Sequence, residues 1–175
     1  ASDVYKRQLS GQGLACSIAS GDRPESVAAV ARELHLFAAA GMHPAGKLAL
    51  LERRKASGHR PLMVGDGLND GPALAGAHVS IAPGSASDVS QQAADAVFVG
   101  ERLMPVALAV RVARRTMAIV RQNFTMAVLY NMLAVPLAIG GFVTPLVAAL
   151  AMSASSLLVV GNSLRLARSA GKEGA

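Results

Sequence analysis

The sequence has no tryptophan, a single cysteine, and only two tyrosines and four phenylalanines. Each scarcity excludes something. One thiol, Cys16, permits neither a disulfide framework nor a thiolate metal cluster within the chain. It is expected to be a small buried apolar residue in a strand. So few aromatic rings cannot stack bases, so the net charge of +6 does not mark a nucleic-acid binder. The four histidines, His35, His43, His59 and His78, are scattered and form no ligand pair at helical spacing. They are expected at the surface or in turns. No secretory signal is visible at the start, and Ala1–Gln8 lead into no pattern. Residues 1–8 are therefore set aside as a scar of cloning or sequencing.

Charge is also scarce, and its placement is uneven. Hydrophobic residues make up 52% of the chain and charged residues 16%. Up to Arg121 the two kinds mix as in a soluble domain, whereas Phe124 to Leu164 contains no charged residue at all. One bilayer-crossing helix needs about 20 apolar residues, and this run is long enough for two. Gly140, Gly141 and Pro145 interrupt it near the middle. The expected elements are membrane helices at 124–143 and 146–164, joined by a very short turn. A hairpin buried in a soluble core is the alternative, but 175 residues leave too little other apolar surface to cover it.

Arg111, Arg114, Arg115 and Arg121 precede the first span, Arg165, Arg168 and Lys172 follow the second, and the turn carries no Lys or Arg. By the positive-inside rule both ends are cytoplasmic and the turn is external. The basic residues then serve topology and lipid-headgroup contact.

The first part of the chain alternates short apolar runs with helical patterns. Strands are expected at Leu14–Ala19, Leu36–Ala39, Pro61–Gly65, Val79–Ala82 and Ala96–Val99. Helices are expected at Pro24–Leu36, Pro44–Lys55, Pro72–Gly76 and near Asp88–Ala93, with a long one from Leu103. This order predicts an α/β fold with a parallel, doubly wound sheet. Ligands gather at the carboxyl ends of such strands, and two acidic motifs, at Asp22 and Asp66, fall there.

The most informative string runs from Met63 to Leu74 and contains Gly65-Asp66-Gly67-Leu68-Asn69-Asp70. Gly65 and Gly67 allow a sharp bend and close approach to a ligand. Asp66, Asp70 and the Asn69 amide suit a hard cation such as Mg²⁺, which can bridge to a phosphoryl oxygen. Lys47, on the preceding helix, can offer positive charge to that phosphoryl group. Ser20 and Asp22 add a hydroxyl and a carboxylate from a neighbouring strand end. A tight turn with an Asn/Asp helix cap explains the short Asp-Gly pieces equally well, but not the whole string.

That string, followed by Pro72-Ala73-Leu74, resembles the hinge signature of P-type ATPases. Ser20-Gly21-Asp22 resembles their (Thr/Ser)-Gly-Asp motif, and Pro44 with Lys47 their Pro-x-x-Lys segment. The motifs stand in the family's order. The resemblance implies a partial haloacid-dehalogenase-like sheet domain at 9–102, a linking helix at 103–123, the two spans, and a cytoplasmic tail at 165–175. It implies that Asp66 holds Mg²⁺, that Gly65 and Gly67 shape its loop, and that Asn69 and Asp70 line the phosphate site. Lys47 and Ser20 would contact the phosphoryl group, and Asp22 would help bind ATP. The family's phosphorylated aspartate lies in an Asp-Lys-Thr-Gly-Thr motif, which is absent here. The missing amino-terminal half of the same pump is then an obligate partner. The fragment is expected to be inactive alone and poorly stable, since its sheet lacks a first strand and exposes an edge.

Polar groups inside a span are costly unless they face protein or a pathway. Tyr130 and Asn131 lie in the first span, where Pro136 frees the carbonyl of Met132. Met152, Ser153, Ser155, Ser156, Asn162 and Ser163 lie in the second. Met152 and Ser156 are four apart and share a helix face. Serine and small residues are ordinary contacts between packed membrane helices, and spacing alone favours that reading. Tyr130-Asn131 with Met152-x-x-Ser155-Ser156 is nevertheless similar to the last two membrane helices of copper-transporting, heavy-metal P-type ATPases. Zinc and cadmium pumps of this class carry an acidic residue in the final span, and none stands here. Val135-Pro136-Leu137-Ala138 and Thr144-Pro145-Leu146 resemble the branch serving cytochrome-oxidase assembly. The resemblance implies Cu⁺ as cargo, contacted by Tyr130, Asn131, Met152 and Ser156, a copper chaperone as partner, and a bacterial inner membrane location. A pump for another heavy metal and a membrane-anchored phosphatase of the same fold are the alternatives. The second needs a nucleophilic Asp on a first strand, and no Asp-x-Asp pair is present. A helical-hairpin membrane protein with a binding module leaves the Gly65–Leu74 string without a purpose.

Overall fold

The computed structural model describes residues 2–100 and 102–170; Lys172 and the end of the expected tail lie outside them. The chain divides into two compact units, Ala1–Leu108 and Ala109–Ala175.

In the first unit, α1 (Ser2–Gly11) forms where the sequence suggested no element. It precedes β1 (Ser17–Ala19), α2 (Pro24–Leu34), β2 (Phe37–Ala39), α3 (Pro44–Ala56) and β3 (Leu62–Val64). A 3₁₀ turn at Leu68–Asp70 leads into α4 (Gly71–Gly76), followed by β4 (Val79–Pro83), α5 (Asp88–Ala93) and β5 (Ala96–Phe98). Cys16 is half-buried just ahead of β1, not inside a strand as expected. Nor does α2 extend to Leu36. His35 takes a left-handed conformation at φ 49° and stops it, with Leu36 N–H donating back to the Ala31 carbonyl at 2.9 Å. Histidine tolerates that region better than most non-glycine residues.

All strand pairs are parallel, but they make two sheets. β1 pairs with β2, and β3, β4 and β5 form the other in that order. The edge strands, β1 and β2 in one sheet and β3 and β5 in the other, are each paired on one side only. The expected single sheet with a bare margin is therefore two sheets. The larger sheet carries the core: Ile81, Phe98 and Val106 are buried, with Leu62 and Val64 packed against them. Ser80 and Asp95 tie β4 to the start of β5. The Ser80 N–H and Oγ both donate to Asp95 Oδ2, at 2.8 and 3.1 Å.

Helices α3 and α4 pack closely. Gly76 lies against Leu48, where any Cβ would collide with the leucine side chain. Lys55 Nζ donates to the Gly76 carbonyl at 2.8 Å and so satisfies one open group at the end of α4.

The long helix α6 (Met104–Ile139) passes through Pro136 without a break, and α7 spans Pro145–Ala170. Gly141, at φ 77°, makes the bend between them. Thr144 Oγ1 accepts the Val147 N–H at 3.3 Å and Pro145 takes the first helical position, which together begin α7. Met104–Ile139 and Pro145–Arg165 are long and apolar enough to cross a membrane, and their most apolar stretches are unburied. In the second unit the less exposed residues form one stripe on each helix. On α6 they include Asn123, Ala127, Tyr130 and Ala134, and on α7 Ala151, Ser155, Val159 and Asn162.

Candidate functional site

β3 ends at Val64, and the chain turns through Gly65, Asp66 and Gly67 into the 3₁₀ turn. Gly65 is required by contact: a Cβ there would stand 2.9 Å from both Cβ and Oδ2 of Asp70. Asp70 points back under the loop. Its Oδ1 receives Lys47 Nζ at 2.6 Å, and its Oδ2 receives the Gly67 N–H at 3.4 Å. Both partners of this ion pair are only 11% exposed at the side chain. Lys47 reaches the loop from the first turns of α3, which Pro44 starts.

The two carboxylates of the motif therefore do different things. Asp70 is buried and engaged by Lys47. Asp66 is exposed on the same loop, as is Asn69, and among the described residues no hydrogen bond or ion pair occupies the Asp66 carboxylate. An exposed carboxylate at a strand end, backed by a buried ammonium, is a place for a divalent ion that keeps most of its waters. Mg²⁺ is commonly held in that way, by one or two carboxylates plus phosphoryl oxygens.

Two serines that the sequence reading passed over hold this loop. Ser90, on α5, is fully buried, and its Oγ donates to the Gly67 carbonyl at 2.5 Å. Ser87 caps α5 by accepting the Ser90 N–H, and its own N–H donates to the Asp66 carbonyl at 3.3 Å. Only spacing signalled them: Ser87 stands immediately before a helix, a favoured capping position. Ser90→Ala leaves the Gly67 carbonyl without its buried donor, which costs about 1–2 kcal/mol. The expected result is faster amide hydrogen exchange confined to residues 66–70, read by mass spectrometry.

Ser20 and Asp22 lie at the end of β1, in the other sheet. Ser20 Oγ accepts the Asp22 N–H at 3.2 Å, and the Gly41 N–H donates to the Asp22 carbonyl at 3.0 Å. Among the described residues no hydrogen bond joins this pair to Lys47, Asp66, Asn69 or Asp70. The structure thus brings Lys47, Gly65, Gly67 and Asp70 into one cluster, with Asp66 and Asn69 at its surface and Ser20 and Asp22 apart.

In the second unit Tyr130 lies on the less exposed stripe of α6, while Asn131 donates to the Ala127 carbonyl of its own helix at 2.9 Å. Met152 is 70% exposed, and Ser156 is exposed too. Both are one position out of the Ala151–Ser155 stripe. Among the described residues no hydrogen bond joins the four candidate cargo ligands to one another.

The parallel sheets and the strand-end loop define a class: residues 6–78 match the model of the haloacid dehalogenase-like hydrolases. Along nine-tenths of its length the chain also resembles ion pumps. It is 52% identical over 160 residues to the nitrogen fixation protein FixI of Rhizobium leguminosarum bv. viciae, covering 91% of this chain and 21% of that protein. It is 45% identical over 159 residues to a copper-exporting P-type ATPase of Mycobacterium tuberculosis, covering 90% of this chain and 21% of that one. The crystal structure of a zinc-transporting PIB-type ATPase matches 94% of this chain with 27% of its own, at a TM-score of 0.84 and 32% identity. Over most of its own length the chain is thus similar to one part of the heavy-metal P-type ATPases. It spans about a fifth of the length of the curated relatives it matches.

Proposed function

We propose that this chain is the carboxyl-terminal part of an ATP-driven pump that exports copper(I). The observation that carries the reading is the strand-end loop, with Asp66 exposed beside the buried Lys47–Asp70 pair, on a chain with two membrane-length helices.

In the whole pump an aspartate outside this chain takes the phosphoryl group of ATP. The unpaired sides of β1 and β3 suit one further parallel strand between them, which would carry that aspartate to the same strand-end level as Asp22 and Asp66. Asp66 would hold Mg²⁺, which neutralises charge on the transferred phosphoryl group. Lys47, fixed by Asp70, keeps a positive charge beside the phosphoryl site. Asn69 and Ser20 would donate hydrogen bonds to the phosphoryl oxygens, and Asp22 would orient the nucleotide. Gly65 and Gly67 keep side chains out of the space the loop needs.

The cargo path runs through the second unit. A thioether suits Cu⁺, and Met152 and Ser156 are exposed, so a further helix of the pump would complete the site with Tyr130 and Asn131. The span contains no carboxylate for a harder ion. Both termini and the soluble unit are cytoplasmic in an inner membrane, with Gly140–Thr144 outside, and a soluble copper chaperone would deliver the cargo. The test is ATP hydrolysis by the whole pump with added Cu⁺, wild type against Met152→Ala. Stimulation of the wild type and its loss in the variant are expected. Equal stimulation of both would make Met152 a packing residue.

The zinc-transporting structural neighbour favours a second reading, a pump for another heavy-metal cation. Stimulation by Zn²⁺ and none by Cu⁺ would select it.

A further inference from the structure

The two membrane helices share a polar cluster that the transport reading does not use. Asn162 Nδ2 on α7 donates to Asn123 Oδ1 on α6 at 2.8 Å and to Gln122 Oε1 at 3.4 Å. Asn123 Nδ2 returns a hydrogen bond to Ser163 Oγ at 3.1 Å. The bonds run in both directions across the helix pair, from Asn162 to Asn123 and from Asn123 to Ser163. Arg165 donates to Asn162 Oδ1 at 3.3 Å, from the cytoplasmic side of the same cluster.

The position of the cluster has a geometric consequence. The helices are antiparallel and rise by the same amount per residue, about 1.5 Å. Seven residues into the membrane from Asn123 is Tyr130, and seven back from Asn162 and Ser163 are Ser155 and Ser156. Residues seven apart return to one face of a helix, two turns on. Accordingly Asn123 and Tyr130 lie on one less exposed stripe, and Ser155 and Asn162 on the other. Fixing Asn123 against Asn162 therefore fixes Tyr130 at the level of Ser155–Ser156, about 10 Å deeper. Between the two levels the less exposed stripes hold only Ala127 on α6 and Val159 on α7, neither of which can form a side-chain hydrogen bond to set register.

We propose that Asn123 and Asn162 are a register clasp: positioning residues that hold the two helices so that Tyr130 meets the cargo at the level of Ser155 and Ser156. The cargo half of this inference rests on the transport reading; the register half does not. A one-residue slip would turn each donor by about 100° away from its partner, and leave the amides in apolar surroundings.

The test uses the whole pump in lipid nanodiscs, as wild type, Asn162→Leu, Asn123→Leu and the double variant. Leucine keeps the size of asparagine without its hydrogen bonds. Spin labels at Val128 and Leu157, both exposed, report register as a distance. The wild type is expected to give one narrow distance, and each leucine variant a broadened or shifted one. The half-saturating Cu⁺ concentration for ATP hydrolysis is expected to rise about three- to tenfold, the worth of one interhelical hydrogen bond, with turnover at saturating Cu⁺ unchanged. The double variant is expected to lose less than the sum of the two single ones, because both remove the Asn162–Asn123 bond they share. A narrow, unmoved distance in the leucine variants overturns the clasp, whatever the metal response. So do effects of the two substitutions that simply add. A wild type that no metal stimulates sinks the transport reading instead and leaves the distance to decide the register.

Discussion

Asp70→Ala is expected to lower the unfolding midpoint of the soluble unit by roughly 10 °C. The mechanism is an abandoned charge. Lys47 Nζ is 2.6 Å from Asp70 Oδ1, and both side chains are 11% exposed. Removing one partner of so enclosed a pair leaves the other ionised in poor solvent, at a cost of about 3 kcal/mol. The same substitution takes the acceptor from the Gly67 N–H and the filling from beneath Gly65. Lys47→Met combined with Asp70→Leu is expected to recover much of the loss, since both charges then go together. Thermal unfolding of the whole protein, followed by calorimetry, checks both outcomes. Equal midpoints for Asp70→Ala and wild type would mean that water reaches the lysine and the pair contributes little.

Asp66→Asn is expected to do the reverse, leaving the fold unchanged and removing the chemistry. The side chain is exposed and takes no hydrogen bond among the described residues, so asparagine fits without strain. Losing its charge weakens the hold on Mg²⁺ at the phosphoryl group. Formation of the phosphorylated pump from ATP is expected to fall about 100-fold, in the range seen when one stabilising group is deleted from an active site. Part of the loss should return at high Mg²⁺ concentration. Acid-quenched labelling with radioactive ATP measures it, and an unchanged midpoint in the calorimeter separates it from unfolding. A normal phosphorylation level would remove Asp66 from the metal site.

These contrasting expectations for two aspartates four residues apart show where the sequence was sufficient and where it was not. The string Gly65–Leu74 revealed the strand-end loop, because turn residues and carboxylates have a readable pattern. Which carboxylate is buried was not readable: it depends on Lys47 arriving from α3, more than twenty positions away. Ser90 was invisible for the same reason, since its hydrogen bond to Gly67 also spans more than twenty positions. The parallel strands and long helices were legible from apolar periodicity and the charge-free run. The split into two sheets was not, because pairing is a non-local property and each strand covers only three to five residues. Helix α1 was missed because Ser2–Gly11 is short and mostly polar and its first residues lead into no wider pattern. In the second unit, composition indicated the spans, but the exposure of Met152 depends on how the two helices pack, which composition does not fix.

The two half-paired strands, β1 and β3, also bear on how a cell would handle an incomplete copy of this protein. Parallel strands cannot close on each other through a tight turn, so neither can satisfy its free side by a local rearrangement. On the proposed reading, the strand that fills the interval must come from a distant part of the polypeptide. A chain made without that part would display two rows of unpaired amides and carbonyls during and after synthesis. Such margins recruit other chains. The arrangement would then act as a check on completeness: a truncated product would advertise itself to proteases and chaperones, and the whole pump would conceal the signal in the middle of its sheet.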